Sequence, residues 1–553
     1  MNTIVSQASK YILLALMVLF TIETYMVLRR RDEKSRNRIM RKQIGLMVMF
    51  NLVAYPTMYL LSGDFQMLVM FLSVVCFILV VQVLYRLIYR RASMILLNTM
   101  CMMLSVGFVI QSRLGMETAM KQFIITSLAT LICFIIPVFI RKVRIVSRLT
   151  WLYAVAGIGL LGVVLLFGRI TGGAQLSVSL GGITFQFSEF VKITVVLFMA
   201  GMLQNRHDFK TVLAVTVVAA VHVGILALSA DLGAALIYFM AYIDMVFVAT
   251  RNPGYAFLGL GGMAGASIVA YRLFDHVRVR VAVWKDPFQD YEGTGYQIVQ
   301  ALFGVCAGGW FGTGLFKGNP DMIPLAYEDF TFAAICEEFG VLFAICLILL
   351  CMGMYLLIVN IATKLEKPFY RLVAVGLGTE YAFQVFLTVG GTTKFIPMTG
   401  ITLPLISYGG SSIMCTIIMI SIIQGLYIMR TDESQAREEE RMQQRLRRRI
   451  SNQEQYLREY QRPERRSGYP GQGQGGSGQN VRYGESARNG SGDARTGYAD
   501  GGTTKIIRKL NRSQNRPDSA DEMERKNGQE IGDTDELAKK IEEQTKNGLE
   551  IHY

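Results

Sequence analysis

Charge is sparse in this sequence: 18% of its residues are Asp, Glu, Lys or Arg, against 52% hydrophobic. Between Tyr11 and Met429 apolar runs of about 18 or more residues recur, each long enough to cross a hydrocarbon core of roughly 30 Å. Such repetition excludes a soluble domain and predicts an all-α polytopic membrane protein, because a helix satisfies its own backbone polar groups without water. The net charge of +14 lies in short loops and in the tail after Arg430. That placement argues against a nucleic-acid partner and for the bias of basic loops toward the cytoplasm. Cysteine pairs are missing too. The eight cysteines stand singly, with no Cys-x-x-Cys or zinc spacing, so they read as small apolar residues. The first run, Tyr11 to Leu28, lacks an Ala-x-Ala-like exit and ends in RRRDEKSRNRIMRK. It reads as an uncleaved anchor, not a signal peptide.

Thirteen candidate spans follow, at about 11–28, 43–62, 66–88, 94–112, 122–140, 149–168, 187–203, 211–229, 231–249, 254–273, 331–360, 372–391 and 400–429. Basic segments at 29–42, 86–91, 141–148, 204–210, Arg251, 363–371 and beyond Met429 then fall on one side. This parity places the N-terminus outside and the C-terminal tail in the cytoplasm. The connection 274–330 lies outside and is too long for a simple connector. Its Trp284, Tyr291, Tyr296, Trp310 and Phe316 predict order against the membrane face. Within it, YQIVQALFGVCAGGWFGTGLF is short and Gly-rich, as a re-entrant or interfacial helix would be. In the tail, 431–553, REEERMQQRLRRRISNQEQYLREYQRPERR predicts a charged helix. SGYPGQGQGGSGQNVRYG reads as linker, and the rest as disordered chain that solubilises, docks a partner or binds anionic lipid heads.

Several polar residues stand out in this apolar setting. Glu189 and Lys192 are three apart, on one helix face. A buried pair that orients its helix is one reading, and direct substrate contact is the other. Asp231 opens a span, where a carboxylate suits a helix N-terminus. Asp244 and Glu380 sit deeper, as functional acids or as hydrogen-bonded ones, and His222 reads as packed and neutral. In the outer loop, Asp286 and Asp290 flank Pro287, which disfavours a regular helix through both. Gly293 and Gly295 permit a tight turn or close backbone approach. Arg278, Arg280, Lys285 and Lys317 lie nearby in the chain. The plainer alternative is a solvated acidic loop.

Five stretches in order carry a resemblance: FSEFVKI (187–193), ADLGAAL (230–236), DPFQDYEGTGYQIVQALFGVCAGGWFGTGL (286–315), IPLAYEDFTFAAICEEFG (323–340) and TGITLPLISYGGSSIM (399–414). Together they resemble the SEDS family, the FtsW/RodA/SpoVE peptidoglycan glycosyltransferases, over roughly residues 94–430. The Thr-Gly-Ile-Thr-Leu-Pro wording leans toward FtsW/SpoVE. The resemblance implies a SEDS-type core of about ten spans with a large outer loop. Residues 1–93 then add three extra spans and turn the N-terminus outward.

The implied reaction joins lipid II, a disaccharide-pentapeptide on undecaprenyl pyrophosphate, into glycan strands for division, elongation or sporulation. By the same resemblance Asp290 is the essential aspartate, and Asp286 falls at a less strict position. Glu189 and Lys192 match the Ser-Glu-Phe-x-Lys element, and Asp231 matches Asp-Leu-Gly. Phe187 departs from a usual proline, Ser229 and Ala230 from Gln-Pro, and Leu325 and Tyr327 from a carboxylate and an imidazole, while Asp329 stays. The implied chemistry is a single inverting displacement with Asp290 as general base. Arg278 and Arg280 would hold the diphosphate, and Ser407, Tyr408, Gly409 and Gly410 would shape the substrate site. A divalent cation, magnesium or manganese, is expected from the resemblance only, and no ligand cluster in the sequence identifies one. Implied partners are a class B penicillin-binding protein transpeptidase and other division or elongation proteins. The rival functions are a lipid II flippase and a noncatalytic scaffold.

Overall fold

The computed structural model describes residues 2–460, apart from 31, 143, 172–173 and 181–182. Among them twelve helices are long and apolar enough to cross a membrane. The first three are α1 (Asn2–Arg29), α2 (Glu33–Ser62) and α3 (Gln66–Ile88). Next come α4 (Met94–Leu114), then α5 (Met116–Cys133) and α6 (Ile136–Lys142), which together make one span, and α7 (Thr150–Phe167). After α8 (Phe187–Leu203) follow α9 (Phe209–Leu228), α10 (Leu232–Thr250) and α11 (Pro253–Leu273). Two short helices, α12 (Asp275–Lys285) and α13 (Tyr296–Gly308), lie in the large loop. The chain closes with α14 (Thr331–Phe339), α15 (Val341–Ala362), α16 (Pro368–Thr392) and α17 (Gly410–Tyr460). Helix α8 fills the remaining expected span, but with 17 residues it falls short of the other twelve.

Polar side chains at the helix starts decide several boundaries. Asp32, Asp208, Asp231 and Asn252 each accept a backbone N–H from the first turn of α2, α9, α10 and α11, which satisfies donors a helix cannot pair internally.

Two expectations are corrected. The chain is not wholly α: β1 (Arg169–Thr171), β2 (Ala174–Leu180) and β3 (Ile183–Phe185) form an antiparallel sheet in the order β1-β2-β3 between α7 and α8. The span expected at 331–360 is two helices, broken at Gly340. There φ is +89°, and a Cβ would lie 2.3 Å from the Gly312 nitrogen, so the large loop's backbone occupies the space a continuous helix would need. The charged helix expected at the start of the tail is present as far as Tyr460, where α17 runs on from its span for 51 residues in all. Residues 461–553 lie outside the described part.

Helix α4 is buried along nearly its whole length and packs against α2, α3, α5 and α15. Polar contacts stitch it to the first helices. Asn98 donates to the Met40 carbonyl and to Gln43 Oε1, both at 3.0 Å, and accepts from Gln82 at 2.7 Å. Gln43 donates in turn to Thr24, and Asn51 to Ser105. In a membrane such bonds supply specificity that apolar packing alone does not.

At its exit from the bundle α17 is gripped by ion pairs. Asp432 pairs with Arg91 and Arg141, Glu433 with Lys367, and Arg437 with Glu366. The basic connections after α3, α6 and α15 therefore gather at one end.

Candidate active site

Helix α12 ends at Lys285, and a run of turns carries the chain to Tyr296. Asp286 Oδ1 accepts the Phe288 N–H at 3.0 Å and sets the first bend. Asp290 sits exposed at the tip. Its Oδ2 accepts both the Thr294 N–H at 2.7 Å and the Thr294 hydroxyl at 2.8 Å. These bonds, the backbone one first, hold the carboxyl below its ordinary range. Both glycines are used. A Cβ on Gly293 would lie 2.4 and 2.5 Å from the Asp290 oxygens, and one on Gly295 would lie 2.0 Å from the Pro287 carbonyl.

A second group lies inward. Arg280 donates to the Thr399 carbonyl at 3.3 Å and feels the fields of Asp231 and Asp329. Loss of water pushes the Asp329 carboxyl up to about 6, helped by Glu328 and opposed by Arg280. Asp231 accepts from Ser188 at 3.0 Å and from the Ala234 N–H at 3.1 Å. The two arginines expected to act together are split. Arg278 is exposed and paired to Asp275 on its own helix, while Arg280 points inward.

From this group a polar line descends into the bundle. Thr402 bonds Ser412 at 2.9 Å, and Gln384 donates to Ser412 and to the Thr402 carbonyl. Lys192 donates to Gln384 at 2.9 Å and pairs with Glu189 at 2.5 Å. Glu380 is fully buried beside this line, and neither of its oxygens has a hydrogen-bond partner. Asp244 accepts from Thr379 on α16, and His222 is buried on the Val218 carbonyl.

The Ser407–Gly410 segment forms a wall. Ser407 is buried. Its hydroxyl accepts the Leu403 N–H and donates to Thr331, both at 3.0 Å, and its carbonyl accepts from Gln122. Tyr408 donates its N–H to the Tyr327 carbonyl at 2.7 Å. Gly410 packs close to Ile125, whereas a Cβ on Gly409 would make only ordinary contacts with Ser412 and Thr402.

One charged residue escaped the sequence reading. Arg113, at the end of α4, pairs with buried Glu338 at 2.8 Å and with Asp321 at 3.2 Å, and lies over the Phe316 ring. A lone arginine closing a span beside a Glu-Glu pair elsewhere in the chain was the available signal.

Among the described residues no group of three or more His, Cys, Asp or Glu side chains converges to hold a metal ion. The loop acids do not fit a protein-built cation cage.

A polytopic helical bundle with an ordered, carboxylate-bearing loop and a buried polar line defines a multi-pass membrane protein. Residues 85–431 match the FtsW/RodA/SpoVE cell cycle protein family, and the chain belongs to that family. It is 35% identical over 311 residues to the peptidoglycan glycosyltransferase RodA of Mycobacterium bovis, covering 52% of this chain and 66% of that protein, just under two thirds. It is 34% identical over 278 residues to the probable peptidoglycan glycosyltransferase FtsW of Aliivibrio salmonicida, covering 48% and 68%. A chain solved in a peptidoglycan synthase complex that coordinates polymerization and crosslinking is 25% identical. It superposes with a TM-score of 0.54 over 61% of this chain and 98% of its own length. RodA and FtsW relatives stand at near-equal identity, so the lean toward FtsW/SpoVE is not separated from RodA.

Proposed function

We propose that this protein is a peptidoglycan glycosyltransferase that polymerises lipid II at the outer face of the bacterial cytoplasmic membrane. The observation that carries this reading is Asp290, fixed by Thr294 in a turn that two glycines make possible, on a loop ordered enough to meet two lipid-linked head groups. In the reaction an acceptor sugar hydroxyl attacks the anomeric carbon of the donor. The new carbon–oxygen bond forms as the bond to the diphosphate oxygen breaks, and Asp290 takes the hydroxyl proton. A carboxylate with a lowered pKa is a weak base, so it serves only as the hydroxyl acidifies in the transition state. Arg280 is assigned to the charge that develops on the departing diphosphate. Arg278, turned to Asp275, is assigned to the lipid head-group region. Asp286 shapes the turn, and Ser407, Tyr408, Gly409 and Gly410 form the wall beside Asp329. A magnesium or manganese ion belongs to this reading on family likeness alone.

The gathering of basic connections at the α17 exit supports a cytoplasmic tail and a loop outside, with the N-terminus outside as well. A class B penicillin-binding protein transpeptidase is the partner this reading takes, together with other division or elongation proteins. The buried line through Lys192 and Glu189 favours a second reading, a lipid II flippase, over a pure scaffold. The test is purified protein with lipid II, followed on a gel for glycan chains. Asp290→Asn should lower turnover by about a hundredfold or more without changing thermal unfolding. Equal turnover in both proteins, or none in the unaltered chain, would reject the assignment.

A further inference from the structure

Helix α1 lies outside the residues that match the family, yet its first turns reach the large loop. The loop between α13 and α14 doubles back on itself. A Cβ on Gly308 would lie 1.9 Å from the Cys336 carbonyl oxygen, so α13 and α14 touch backbone to backbone. The Thr313 and Gly314 N–H groups bond the Glu337 and Glu338 carbonyls. That pairing leaves outward-facing carbonyls on the turn. Three of them are taken by one patch of α1. Lys10 Nζ donates to the Gly312 carbonyl at 2.9 Å, Gln7 Nε2 to Thr313 at 3.1 Å and Ser6 Oγ to Leu315 at 3.0 Å. Ser6 and Lys10 are buried. Gly314, at φ +98°, has room for nothing larger, because a Cβ there would lie 2.7 Å from Ser6 Oγ.

We infer that Ser6, Gln7 and Lys10 are positioning residues for the loop chemistry. They clamp the turn at 309–318, and the turn fixes α13 against α14. Helix α13 begins directly after the Asp290 turn, and α14 begins directly after Asp329. A clamp on the far end of both helices therefore sets how the two carboxylates stand to each other. The first helix acts as an external brace that the family-matched part of the chain does not contain. The link to chemistry rests on the proposed glycosyltransferase reading, but the brace itself does not.

The test uses the full chain in lipid nanodiscs, comparing Lys10→Met and Ser6→Ala with the conservative Lys10→Arg. Backbone amide exchange should speed up about tenfold at Thr313 and Gly314 in Lys10→Met, and less in Ser6→Ala. The kcat for lipid II polymerisation should fall by about tenfold or more at little-changed KM, and Lys10→Arg should recover most of both. Unchanged exchange in folded Lys10→Met and Ser6→Ala would overturn the brace. Faster exchange with unchanged kcat would overturn its link to chemistry, as would a kcat loss that merely tracks a lowered Tm. If the unaltered chain makes no glycan, the proposed function fails while the exchange result still decides the brace.

Discussion

Gly293 leaves the Asp290 carboxylate the space it occupies, since any Cβ would stand within 2.5 Å of both oxygens. Gly293→Ala should push the carboxylate off Thr294 and cut lipid II turnover by about a hundredfold. Thermal unfolding should barely change, because the turn is exposed. Near-normal turnover in Gly293→Ala would show that the observed carboxylate position is not the working one. Acid sensitivity belongs to a different residue. Asp290 lies below the ordinary carboxylate range and stays ionised through neutral and mildly acidic pH. Asp329, at about 6, gains a proton as pH falls through that value and stops offsetting the Arg280 charge. The pH profile of kcat/KM should therefore show an acid limb near 6 that Asp329→Asn flattens. A limb unmoved in that variant would assign it elsewhere. The turn at Gly293 and Gly295 was legible in the sequence because Asp-Tyr-Glu-Gly-Thr-Gly is built from its own residues, whereas Asp290 was singled out by resemblance. Arg113 was not legible, because its partner Glu338 lies 225 residues away and nothing local marks the pair.

At the scale of elements, the Glu189–Lys192 pair shows where sequence spacing is enough. Three residues apart on α8, both side chains fall on one face, and the structure joins them at 2.5 Å. What spacing could not show is that Lys192 also bonds Gln384 on α16, so the pair ties two helices together. Removing one charge from a buried pair costs about 3–5 kcal/mol, while neutralising both can be nearly free. Lys192→Ala should therefore lower the thermal midpoint in detergent more than Glu189→Gln/Lys192→Gln together. Equal midpoints with equal loss of turnover would point instead to direct contact with substrate. Other elements were not legible for a physical reason. Apart from Glu337 and Glu338 the stretch from Thr331 to Ala362 is uncharged and mostly apolar, and a lone glycine does not stop a helix. Gly340 breaks this one because the backbone of residues 310–312 fills the space beside it. That is a tertiary constraint, invisible to a window moving along the chain. The three short strands at 169–185 were missed similarly, since an apolar–polar mixture of that length between two spans reads as a plain loop.

At the scale of the whole molecule, the question is whether the first three helices are an appendage or part of the bundle. Span counting found them at once and could say nothing of their role, because hydropathy reports length and not neighbours. Lipid could replace their apolar contacts with α4 at little cost, since hydrocarbon tails are as apolar as leucine. Lipid cannot replace their hydrogen bonds. Without α1–α3, Asn98 loses Gln82, Gln43 and the Met40 carbonyl, and Ser105 loses Asn51. Interhelical bonds of this kind contribute roughly 0.6–2 kcal/mol each, and four of them amount to a sizeable part of a marginal stability. The loop turn would lose Lys10 as well. A chain lacking residues 1–88 should therefore purify as aggregate or with a clearly lowered thermal midpoint. Supplying residues 1–92 as a separate co-expressed fragment should restore a monodisperse peak, because the contacts that matter are noncovalent. The measurement is size-exclusion chromatography and thermal unfolding of the full, deleted and split chains in one detergent. If the deleted chain is monodisperse with the full chain's midpoint, α4 tolerates lipid on its polar face and the three helices are a separate attachment.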